Sequence, residues 1–396
     1  MAISYRLPSH WIRYDQATIF NILVEAKANV GALRTTPYQR DWIDKLQQLQ
    51  FKMEVAGTSQ IEGAEFSERE LDQALEETAE GRFTRSQKQA RAAANTYRWI
   101  ADLPPDLPIT ESLIREIHRR MVTGCDDDHC EPGALRRQDD NVVFGVPPHR
   151  GCEGGAPCQR AFSQFTNAIG TEYRSHDPLI QAMAVHYHFA AMHPFQDGNG
   201  RTARALEALL LQRAGLRDSA FIAMSNYYYE EKPAYLKALS AVRSADHDLT
   251  AFLHFALTGV ARQCERMLQE IKRGVHKAVF RNTMFDLFGR LTTPRKRVIA
   301  RRQLEILKLL LDSEKLRTWE LVKKTAMFYG ELSDPTRAFS KDLSALLHLG
   351  AITGERLEEE KTFLFRINLD WPSQIREGEF FERIKELPKA KTHRFL

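Results

Sequence analysis

Twelve consecutive residues, from His193 to Arg204, hold the side chains of phosphate chemistry: His-Pro-Phe-Gln-Asp-Gly-Asn-Gly-Arg-Thr-Ala-Arg. His193 titrates near neutrality in water and is of a type that takes a proton from an attacking hydroxyl. Asp197 offers a hard carboxylate of the kind that holds a divalent metal on a pyrophosphate. Gly198 and Gly200 free the backbone to turn with positive φ and approach an oxygen closely. Arg201 and Arg204 are spaced i,i+3, so on a helix both forks can face one anion. Phe195 is expected to turn inward and anchor the loop. A plain helix–helix turn with solvated arginines would need few of these residues together.

The elements that must position them are legible on either side. Ile180, Met183, Tyr187, Phe189 and Met192 form an apolar pattern before the loop. Ala205, Leu206, Leu209 and Leu210 form a helical one after it, with Gly215 as a stop. Helix, glycine turn, helix places loop amides and a helix N-terminus on one spot, which suits an anion. The segment resembles the signature of the Fic family at every fixed position. The resemblance implies a mainly α fold: a Fic-type helical core at 101–270 with a small β-hairpin flap. It also implies a protein AMP-transferase that moves AMP from ATP to a Tyr, Thr or Ser hydroxyl. On that pattern His193 is the general base and Asp197 holds Mg²⁺ or Mn²⁺. Gly198, Asn199 and Gly200 form the anion nest; Arg201 and Arg204 hold the phosphates.

Residues 1–100 read as an N-terminal helical region. Within it the stretch 54–63 ends a helix at Gly63 and leaves Glu62 in the last turn, where a carboxylate opposes the helix dipole. Thr58, Glu62 and Gly63 resemble the inhibitory helix of Fic proteins, whose glutamate reaches the second motif arginine, here Arg204. An ion pair there occupies the guanidinium meant for the γ-phosphate, so the resemblance implies autoinhibition and, in some relatives, removal of AMP. Ser67 and Glu70 are spaced as a capping box.

Residues 132–148 read as a hairpin and resemble the Fic flap, which registers an extended target segment. Arg136, Val142 and Val143 are its target-docking candidates. Cys125, Cys130, Cys152 and Cys158 crowd around it, leaving open a structural zinc, a labile disulfide or ordinary thiols. His186 and His188 have no carboxylate nearby in sequence and read as core histidines. Tyr227, Tyr228 and Tyr235 lie where relatives place aromatics near the adenine, so Tyr228 and Tyr235 are candidate ATP contacts.

Residues 262–290 read as a basic connecting helix. Residues 290–372 then give three helical patterns and two β-like runs, resembling a winged helix-turn-helix domain, with 373–396 as a tail. Ser333 is the expected N-cap of the third helix. Arg337 and Lys341, with Arg295 to Arg302 nearby, are candidate DNA contacts; Glu358, Glu359 and Glu360 argue for a protein partner instead.

The net charge of +4 divides into −2 for residues 1–280 and +6 beyond, so the basic excess is C-terminal. No apolar run reaches the ~20 residues of a membrane span, and the opening residues lack a signal-peptide pattern. A cytoplasmic protein with reduced cysteines is therefore expected. The expected partners are a target protein, the chain itself as a substrate and, from relatives, a homodimer. Competing readings are a Fic-fold transferase with another nucleotide donor, an ATP-sensing transcriptional regulator using the winged helix, and a toxin-like growth inhibitor.

Overall fold

The computed structural model describes residues 3–37, 40–76, 82–138, 140–145, 147–217, 221–291 and 293–385. Over these residues the chain is mainly helical, as expected, and carries two three-stranded sheets. It divides into two compact units, residues 1–269 and 270–396. No helix among the described residues is long and apolar enough to cross a membrane.

In the first unit β1 (Ile3–Ser4) precedes α1 (Gln16–Thr35), α2 (Arg40–Ile61) and α3 (Glu68–Leu75). The Ser67–Glu70 capping box opens α3 as the sequence predicts. Next come α4 (Arg85–Ala101), α5 (Glu111–Val122), the short strands β2 (Val143–Phe144) and β3 (His149–Arg150), and α6 (Ala156–Gly170). Then α7 (Pro178–Met192) and α8 (Asn199–Arg213) pack against each other. Every side chain of α7 from Ala182 and every one of α8 from Arg201 to Leu211 is buried. A helix apolar on all sides needs cover on all sides, and the surrounding helices supply it. The unit continues through α9 (Met224–Glu230), α10 (Lys232–Ser244) and the first half of α11 (Thr250–Gly289).

The flap is smaller than the sequence reading. Only Val143–Phe144 and His149–Arg150 pair, antiparallel, and the described residues of 132–142 are loop. Asp139 and Val146 lie outside the described residues. On its other side β3 pairs in parallel with β1, giving the order β1-β3-β2 with β2 at an edge. Two residues are too few for an alternating pattern to announce a strand.

In the second unit α11 gives way to α12 (Pro294–Ser313), β4 (Lys315–Arg317), α13 (Thr318–Tyr329) and α14 (Pro335–His348). The strands β5 (Ile352–Leu357) and β6 (Thr362–Ile367) pair antiparallel, and β4 adds to the far side of β6. Asp334, rather than Ser333, caps α14: its carboxylate accepts the Arg337 amide at 3.0 Å. Two short helices follow, α15 (Trp371–Gln374) and α16 (Glu377–Lys385). Trp371 and Phe380 are buried with Phe280, Ile306, Leu343 and Phe365. The expected tail from 373 instead continues in short helices up to 385, with Phe380 buried; residues 386–396 lie outside the described residues.

Candidate active site

The turn between α7 and α8 is built by two unusual backbone positions and one amide side chain. His193 ends α7 with φ 51° and Gly198 opens α8 with φ 73°. A side chain at Gly198 would press on Val122, since its Cβ would lie 2.5 Å from the Cγ1 atom. Phe195 is fully buried, as expected, and stacks on the His118 ring at 3.7 Å. Asn199 accepts from the Phe195 amide at 2.9 Å and donates to the Phe195 carbonyl at 2.8 Å. Its side chain ties the loop shut and is spent on that, and its backbone remains for a nest.

His193 stacks on Phe144 of β2, ring centroids 3.9 Å apart. Its Nδ1 donates to the Ala190 carbonyl at 3.1 Å, so the neutral ring keeps its lone pair on Nε2. Burial pushes its pKa down to about 4, with Arg243 and Arg136 adding to the effect. The imidazole is therefore neutral across the physiological range, not half-protonated as its water value suggests.

Arg204 is fully engaged. Its Nε donates to Thr58 Oγ1 at 2.9 Å, and its Nη2 donates to the Thr58 carbonyl at 3.0 Å and to Glu62 Oε1 at 2.6 Å. Loss of hydration would raise the Glu62 carboxyl, but Arg204 outweighs it and holds it below its usual range. The Glu62 carboxylate lies over the first turn of α8, so that a Cβ at Gly200 would collide with it. Lys232 donates to the Ile61 carbonyl at 2.8 Å and closes the end of α2. Gly63, at φ 89°, supplies the left-handed exit.

Arg201 takes a partner that sequence spacing did not reveal. Its Nη1 donates to Asp126 Oδ2 at 2.6 Å, with both side chains buried. Arg85 and Gln89 also donate to Asp126. Burial would raise the Asp126 carboxyl, yet the arginines bring it down to about 2. The available signal was the acidic run Asp126 to Asp128 just after α5. His118, also missed, accepts the Gly133 amide at Nδ1 (2.9 Å) and donates from Nε2 to the Asp197 carbonyl (2.9 Å). Asp197 itself accepts the Gly198 amide at 2.6 Å and keeps a partly exposed carboxylate 3.8 Å from Arg201.

Four expectations change. Arg136 is buried rather than turned to a target: it donates to the His193 carbonyl at 2.8 Å, to the Asp140 carbonyl at 2.6 Å and to the Cys152 carbonyl. Of the docking residues, Val143 is 52% exposed on the β2 edge, while Val142 precedes the strand and its carbonyl accepts the Gly151 amide. Tyr228 and Tyr235 are buried and stack on each other at 4.8 Å. Tyr228 donates to Glu207 and Tyr235 pairs with His186, so neither ring offers a free face to a base. The four cysteines do not assemble a zinc site. Cys125 donates to the Val122 carbonyl beside Asp126, whereas Cys152 and Cys158 flank Arg136, whose cation opposes a dication there. All are free thiols, and no group of three metal-binding side chains forms among the described residues. His186 is a core residue as expected, although a carboxylate does reach it, Glu207 from α8.

The model of the Fic/DOC family matches residues 108–211. The protein adenylyltransferase Fic of Drosophila willistoni is 38% identical over 116 residues, 29% of this chain and 22% of that protein. That of Drosophila melanogaster is 35% identical over the same length. The chain thus spans about a fifth of the curated relatives it matches. A Fic family protein from Desulfovibrio desulfuricans superposes over 92% of this chain and 98% of its own, with TM-score 0.55 at 18% identity. Fic-1 of C. elegans covers 65% of this chain, with TM-score 0.54 at 19% identity, a likeness of fold. Residues 108–211 thus match the Fic/DOC family.

Proposed function

We propose that this protein transfers AMP from ATP to a hydroxyl of a protein and that Glu62 holds the transfer off. One observation carries the reading: a carboxylate lies over the opening of α8 while bonded to Arg204. A helix N-terminus with a cation beside it is a site for a phosphate, and Glu62 is the anion now in it. A second anion there meets direct repulsion and loses Arg204. With Glu62 withdrawn, Arg204 turns to the tail of the triphosphate.

His193 Nε2 accepts the proton of the attacking hydroxyl, while Ala190 and Phe144 fix the ring. The exposed edge at Val143 takes the target as an added strand. Asp197 fits a Mg²⁺ or Mn²⁺ ion carried on phosphate oxygens, because such ions need one or two carboxylates rather than a full protein cage. That ion would supply neutralisation of phosphate charge. Glu62, about a third exposed, is also placed to activate water for removal of AMP.

The second unit supports a winged-helix reading, with α12, α13 and α14 as its helices and β5–β6 as its wing. Glu358 to Glu360 fill the wing turn, and Arg317 donates to Glu360. We assign this unit to protein contacts. Fluorescence anisotropy with duplex DNA is expected to show no saturable, salt-dependent binding; such binding would reassign it.

Intact-protein mass spectrometry after incubation with ATP and Mg²⁺ tests the main reading. Glu62→Gly gains AMP, while the wild type and Glu62→Gly/His193→Ala do not. An adduct in all three, or in none despite ATP binding, would falsify it. Loss of the adduct on adding wild type, but not Glu62→Gly, would identify removal.

A further inference from the structure

Beside the flap, a cleft of about 440 Å³ opens among β1, β3 and the C-terminal end of α10. Three residues that line it each carry a buried polar atom with no hydrogen-bond partner among the described residues: Tyr5 (Oη), His149 (Nδ1) and Arg243 (Nε). His149 is only 2% exposed. A buried polar atom left unpaired is costly, and a ligand entering the cleft meets the side chains that carry these atoms. The volume admits a carboxylate or phosphate with several waters, each of roughly 30 Å³.

The charge of the cleft selects the ligand. Arg243 has no carboxylate within ion-pair distance among the described residues and lies over the Phe144 ring at 4.6 Å. Burial lowers its pKa to about 10, which still leaves it a cation at neutral pH. Arg6 and Arg150 are exposed at the rim. The acid in the lining, Asp246, is turned outward toward Arg13 at 3.9 Å. His247 is not available, since its nitrogens contact Tyr187 Oη and the Arg6 carbonyl.

We propose that this cleft is an anion subsite that binds a carboxylate or phosphate oxyanion through Arg243, His149 and Tyr5. Two sources share that chemistry: an acidic side chain of the docked target, or a free small oxyanion. The cleft favours the first, because Phe144 lies between Arg243 and His193 and stacks on the base itself. An extended segment advances about 3.3 Å per residue, so an acid within two positions of the hydroxyl reaches the cleft. This choice of source rests on the AMP-transfer reading; the anion site does not.

The test begins with histidine-ring NMR of the full chain, with His149 assigned by substitution, titrated with inorganic phosphate and then with glutarate. A saturable shift of the His149 signals is expected. It should vanish in Arg243→Gln and weaken severalfold in the rim variant Arg150→Gln. Signals that do not move, or that move equally in wild type and Arg243→Gln, overturn the subsite. The second step uses Glu62→Gly and peptide pairs that differ only by Glu or Gln beside the hydroxyl. Preference for Glu of at least fivefold, lost with Arg243→Gln, assigns the acidic side chain. Equal transfer to both, with phosphate binding intact, overturns that source and assigns the free oxyanion. No transfer to either peptide, with no AMP gained by the Glu62→Gly chain itself, overturns the AMP-transfer reading and leaves the ring titration standing.

Discussion

At the scale of single residues, protonation of His193 sets the acid limit of the proposed transfer. Its pKa is depressed to about 4, so kcat/KM of Glu62→Gly should stay flat from pH 8 to 6 and fall only on approach to that value. A limb near the water value of ~6.5 would show the ring to be solvated in the working enzyme. The same shift bears on stability. The folded protein binds the His193 proton less well than the unfolded chain, so this contribution is full above the unfolded pKa. It is lost as pH falls from there through about 4. Asp126→Asn leaves Arg201 without its charge partner in a buried site. Breaking such a pair costs about 3–5 kcal/mol, so its melting temperature should fall well below that of the wild type. An unchanged melting curve would place Arg201 in contact with solvent. Every residue from His193 to Arg204 was legible because a short motif states its own spacing. Asp126, His118 and Glu207 were not, since α5, the loop after it and α8 bring them in from distant parts of the chain.

At the scale of elements, the brake is a matter of helix seating. Gly57 lets α2 approach α9 so closely that a Cβ would lie 2.5 Å from the Ser225 backbone. Thr58 follows on the same helix and Glu62 in the turn that ends it, so both inherit its position. Gly57→Ala must shift α2, and overpacking of this kind costs about 1–3 kcal/mol. It should lower the melting temperature and also release self-modification in a chain that retains Glu62. Loss of stability with no gain of adduct would separate the seat of α2 from the brake. The helices themselves were visible in apolar periodicity, and the Ser67 cap in a four-residue pattern. The size of the flap and the third strand of each sheet were not. Their strands of two or three residues draw their stability from pairing, which leaves no local signature.

At the scale of the molecule, each unit owns a core. Leu307, Leu310, Leu343, Phe365 and Trp371 close the second without help from the motif helices. Units with their own cores can fold alone. A chain ending after Arg290, in the Glu62→Gly background, is expected to self-modify at a rate close to that of the full chain. Failure to do so while remaining folded would assign the second unit a part in the chemistry. The sequence marks a break before Pro294 and a shift in charge, whereas the division at 269/270 falls inside α11 and leaves no local mark. The ordered stretch to 385 was not readable either, because Trp371 and Phe380 enter the core from segments too short to show a period.

The pairing of Ile3–Ser4 with His149–Arg150 has a practical bearing on how the protein is handled. Whatever is joined ahead of residue 3 emerges beside the sheet whose free edge is assigned to the target. An N-terminal affinity tag would therefore compete for that surface or shield it. Preparations tagged at opposite termini should differ in substrate capture while binding nucleotide alike.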